Sequence, residues 1–121
     1  MVAVAQRYGA RPVVHSCRRS THILRDLAAM PGLLEAHLGD ATDLGLARQL
    51  MPEVGIYVVP DSVAWARQLA ADTVNSVRSI MNAAGSGPLA FQFVMEAGLR
   101  PETIQAVLGA VRGFNAALEE T

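Results

Sequence analysis

Lysine is missing from all 121 residues, so each of the ten basic side chains is an arginine. An arginine is a planar guanidinium suited to forked contacts with carboxylate or phosphate, not a flexible point charge. Cysteine occurs once, at Cys17, which excludes an intrachain disulfide and fits a reducing compartment. No apolar run reaches the roughly 18 residues of a membrane span. The stretch after Met1 also lacks the apolar core of a secretory signal. A soluble cytoplasmic protein with no membrane partner is expected. Neither a GxxxxGK[ST] phosphate loop nor an H-E-x-x-H metal helix occurs, and Gly85-x-Gly87 reads as a turn. No cofactor, catalytic residue or metal ligand set is expected.

What is present is unevenly charged. Residues 1–25 carry Arg7, Arg11, Arg18, Arg19 and Arg25 with no acid, a charge of +5, while residues 26–121 carry five arginines against eleven acids, a charge of −6. A basic segment ahead of an acidic body fits contact with an acidic surface, on another copy of the chain or on a partner. The same arginines would serve a nucleic-acid backbone.

The periodicity predicts a mainly α fold: a small helical domain over 20–121 built on one long central helix. A basic arm or strand over 1–19 precedes it, with room for one short β-strand pair near the N-terminus. Ser20 or Thr21 caps a first helix stopped by Pro31-Gly32, and Leu33, Leu34 and Leu38 suggest a turn or two of a second. Asp40 or Thr42 caps a third, "DLGLARQLM". "EVGIYVVP" reads as a strand needing a partner, either the valine-rich N-terminal segment (Val2, Val4, Val13, Val14) or a second subunit, unless it is an extended linker. From Ser62 to Ala84, the apolar positions Val63, Ala66, Ala70, Thr73, Val77, Ile80 and Ala84 recur at three- and four-residue steps, as in one helix of six turns. Leu89 to about Ala97 reads as a buried helix. Pro101 opens the last one, whose Ile104, Val107, Val111 and Phe114 should pack on the long helix. The spacing of Phe93, Ala97, Gly98, Leu99, Ile104 and Val107 resembles a helix-turn-helix, but the reading helix offers Glu102 where phosphate would be met.

The densest chemistry lies in "PVVHSCRRSTHILRD", from Pro12 to Asp26. His15, Cys17 and His22 are competent zinc ligands, yet structural zinc takes four, and His37 or Asp26 could join only through the fold. Counting five residues on from Cys17 gives Ile23, not the arginine of a cysteine-phosphatase loop, so Cys17 is expected to play no chemical part. Clustered positive charge needs no further residue to act. The expected function is therefore non-enzymatic assembly: a homo-oligomer, a dimer favoured, contacting an acidic protein surface through Arg7, Arg11, Arg18, Arg19 and Arg25. A nucleic-acid-binding regulator with a degenerate helix-turn-helix is the first alternative. A small enzyme using His, Cys and Asp residues assembled by the fold is the second.

Overall fold

Alternation, not helical periodicity, governs the first half of the chain. The computed structural model describes residues 7–16, 18–92 and 100–119. In chain order these form β1 (Val13–His15), a 3-10 turn (Thr21–Ile23) running into α1 (Leu24–Ala28), β2 (Glu35–Gly39), α2 (Leu44–Leu50) and β3 (Gly55–Val59). They continue with α3 (Ser62–Arg67), α4 (Ala70–Ala84), β4 (Leu89–Phe91) and α5 (Pro101–Glu119). The strands make one four-stranded sheet in the order β1-β2-β3-β4, every neighbouring pair parallel. The fold is α/β, which overturns the mainly α expectation.

Two compact units share these elements. The first comprises Met1–Pro60 and Ala84–Gln92, with the sheet, α1 and α2; the second comprises Asp61–Ala83 and Phe93–Thr121, with α3, α5 and almost all of α4.

In the first unit the registers align Val14, Ala36, Ile56 and Leu89 in one row and His15, His37, Tyr57 and Ala90 in the next. Side chains alternate across a strand, so these rows face opposite ways. Ala36, Leu38, Ile56 and Val58 are fully buried, whereas Glu35, His37, Tyr57 and Val59 keep part of their surface. Right-handed crossovers between strands laid down in sequence put α1 and α2 over the same face. Their buried residues, Leu24, Leu27, Leu44 and Ala47, complete the apolar layer on that side. Leu38, expected in a helix, therefore points inward from β2. Leu89–Phe91, expected to open a buried helix, pairs with β3 instead, and residues 93–99 lie outside the described residues. Tyr57's strand is flanked by β2 and β4, not by the N-terminal valines; β1 adds to β2, and Val2 and Val4 fall outside the described residues.

Arg48 ties this unit together from the buried side of α2. Its Nε donates to Ala84 O at 3.0 Å and its Nη2 to Pro88 O at 2.6 Å, while Nη1 reaches Val54 O at 2.9 Å and the carbonyls of Met51 and Pro52 at 3.3 and 3.4 Å. Only arginine carries five donors in one fork. Loss of solvent pushes its pKa below the ordinary arginine value. Gly87 packs so closely that a Cβ there would lie 2.7 Å from Arg48 Cζ.

In the second unit the long helix is broken. Gln68 is extended (φ −98°, ψ 168°), and its side-chain amide donates to Thr73 Oγ1 at 3.0 Å, while Leu69 O accepts from Asp72 and Thr73 N–H to begin α4. Trp65 is buried and Val63 turns outward as a result. Asp61 and Asp43 cap α3 and α2 by accepting from Ala64 N–H and Leu46 N–H, so the cap of α2 is Asp43, not Asp40 or Thr42. On α5, Thr103, Val107 and Ala110 are buried, but Ile104, Val111 and Phe114 are only half-buried.

Candidate functional site

The quoted basic stretch folds as a strand, a pinned loop and a helix entrance. The ladder of β1 ends where Ser16 N–H donates to His37 O at 2.8 Å. Arg18 then takes a left-handed conformation, φ +61°, uncommon for a residue with a Cβ. Its backbone presses on Gly39, where a Cβ would collide with the Arg18 carbonyl, so only glycine fits at the end of β2. Thr42 Oγ1 accepts from Ser20 N–H at 2.9 Å and donates to Arg18 O at 3.3 Å; Ser20 Oγ donates to Ser16 Oγ at 2.7 Å; Thr21 Oγ1 accepts from Asp43 N–H at 3.0 Å. Ser20 and Thr42 are buried. Ser20 thus braces the loop and does not cap the helix with its side chain.

The five singled-out arginines are not one patch. Arg18 and Arg19 stand exposed on the loop after β1, Arg25 is exposed on α1, and Arg7 and Arg11 precede the strand. Arg11 donates through Nε to Gly32 O at 3.0 Å and through Nη2 to Leu33 O at 3.3 Å, so it staples the approach to β2. Among the described residues the ion pairs are His37–Glu35 and Arg100–Glu102, and neither involves these five. Arg18 does not share a helix face with Arg25, because regular α-helix starts only at Leu24.

A second constellation lies on the opposite row of the sheet. His15 Nδ1 and His37 Nδ1 are 3.4 Å apart on adjacent strands. His37 Nε2 is 3.3 Å from Glu35 Oε2, and its ring lies 4.8 Å from that of Tyr57 at an angle of 32°. A carboxylate only accepts, so Glu35 favours the forms of His37 with a proton on Nε2, and in the neutral one of these Nδ1 faces His15 as an acceptor. His22 is exposed on the 3-10 turn, and Cys17 lies outside the described residues. Of the candidate ligands named with His15, the fold brings His37 against it. No set of three His, Cys, Asp or Glu side chains able to hold a metal occurs among the described residues. Glu35 and Arg48 carry no functional signal in the sequence, and Tyr57 stands there only within the strand "EVGIYVVP"; the signal for the site is the alternation of "EAHLG" and "GIYVV".

No described helix is long and apolar enough to cross a membrane. No protein-family model matches this chain, and no curated protein matches it either.

Proposed function

We propose that this chain is a non-enzymatic interaction protein that self-associates by setting Arg18 and Arg19 against an acidic surface of a second copy. The observation that carries this reading is the pinned loop. Four side-chain hydrogen bonds and a glycine-only contact hold its backbone, and both guanidinium groups stay exposed without a carboxylate partner among the described residues. Preorganised cations lose less entropy on binding than flexible ones. Charge complementarity supports a second copy as the occupant, since residues 26–121 sum to −6. Four of the six positions behind the helix-turn-helix resemblance, Phe93, Ala97, Gly98 and Leu99, lie outside the described residues, so that resemblance lends the nucleic-acid reading no structural support.

Sedimentation velocity of the wild type and of the double variant Arg18→Ala/Arg19→Ala tests the proposal. The expected outcome is a dimer whose dissociation constant rises about tenfold in the variant, equivalent to roughly 1.4 kcal/mol. The difference should shrink as ionic strength passes roughly 0.1 M, where the screening length is about 10 Å. A wild type that stays monomeric at high micromolar concentration overturns it. Arginine-dependent binding of duplex DNA by that monomer would transfer the loop to the nucleic-acid reading.

A further inference from the structure

The His15–His37 pair has the bite of a metal chelate. Two nitrogens each about 2.0–2.1 Å from a tetrahedral zinc stand roughly 3.3–3.4 Å apart, and the two Nδ1 atoms are 3.4 Å apart. The same 3.4 Å lies at the long end of the hydrogen-bond range. The ring planes meet at 83° with centroids 5.5 Å apart, so the imidazoles approach edge-on and do not stack. Strand register places the two residues directly opposite each other, and the Ser16 N–H bond to His37 O closes the ladder beside them.

The surroundings of His37 point the same way. Glu35 Oε2 lies 3.3 Å from His37 Nε2, the placement of the carboxylate partner that orients a metal-ligating histidine. The Tyr57 ring walls its other side. Ligands on paired strands are held more tightly than ligands on loops. We propose that His15 and His37 form a bidentate site for a divalent transition-metal ion of the zinc, copper and nickel class, bound through both Nδ1 atoms, with Glu35 as the positioning residue. Imidazole pairs suit these ions and not magnesium or calcium, which take oxygen ligands. Among the described residues no third protein ligand accompanies the pair, and two imidazoles alone bind more weakly than the four ligands of a structural zinc centre. It does not depend on the arginine loop.

The test is titration of zinc chloride into the full chain by calorimetry, with imidazole-nitrogen NMR on the same samples. One zinc per chain is expected, with both Nδ1 resonances shifting and excess magnesium failing to compete. His15→Asn or His37→Asn should each weaken binding at least about tenfold, and Glu35→Gln by roughly ten- to a hundredfold, a range typical of outer-sphere partners. His22→Asn and Arg18→Ala/Arg19→Ala should leave it unchanged. Unchanged affinity in the folded His15→Asn/His37→Asn double variant overturns the site. So do wild-type spectra in which neither Nδ1 moves at saturation, a readout that needs no variant to fold.

Discussion

Arg48 bears a buried positive charge with no carboxylate beside it among the described residues; five carbonyl oxygens take that role. Replacing it strips donors from carbonyls that belong to the end of α2, the approach to β3 and the turn before β4. The bonds to Ala84 O and Met51 O are the buried ones, and each such acceptor left unmet costs about 1–3 kcal/mol, so Arg48→Met should destabilise the protein by about 2–6 kcal/mol in a urea melt. Arg48→Lys should recover less than half of that, because a lysine has three donors and no planar fork. Recovery to wild-type stability in Arg48→Lys would show that charge, not the fork, matters. Nothing in "LGLARQLM" marks this arginine, because its partners lie up to 40 residues away. The same limit hid the His15–His37 contact. Both histidines are plain in the sequence, but only a parallel register linking positions 22 residues apart brings them together.

Among the elements, β2 shows how one segment satisfies two patterns. Leu33, Leu34 and Leu38 fit a helical stripe, yet Ala36 and Leu38 fit a strand with Glu35 and His37 on its other side, and the second pattern prevails because β1 and β3 complete its hydrogen bonds. Leu38→Ala should then cost about 2–5 kcal/mol, the range for a fully buried leucine. A loss below about 1 kcal/mol in a denaturant melt, the range of an exposed position, would place Leu38 outside the core. The break at Gln68 and Leu69 is hidden for a different reason. The three- and four-residue steps run unbroken through it, so no glycine or proline announces that α3 ends at Arg67. By contrast β3, the helix starts at Ser62 and Pro101, and the strand at Val13–Val14 follow from local chemistry alone and stand where the sequence puts them.

For the molecule as a whole, the count of helices misled more than any single element. Helices do make up most of the described residues, but two of the four strands, β2 and β4, lie in segments whose pattern reads as helical, and the pairing of all four is what defines the α/β architecture. Strand order has a kinetic side. Each strand joins the one made just before it, with matched positions about 20 residues apart from β1 to β3, which keeps the loops to be closed short and cheap in entropy. The last strand differs, since Leu89 meets Ile56 only after α3 and α4 have been made. Two amides report that late step: Ile56 N–H, which donates to Pro88 O, and Gln92 N–H, which donates to Val58 O. In pulse-labelled hydrogen exchange during refolding, these two should gain protection after Ser16 N–H and Gly55 N–H, which bond to His37 O and Leu34 O. Simultaneous protection of all four would mean the sheet forms in a single event. Sequential protection would mean that a nascent chain can close its first three strands while the C-terminal helix is still within the ribosome.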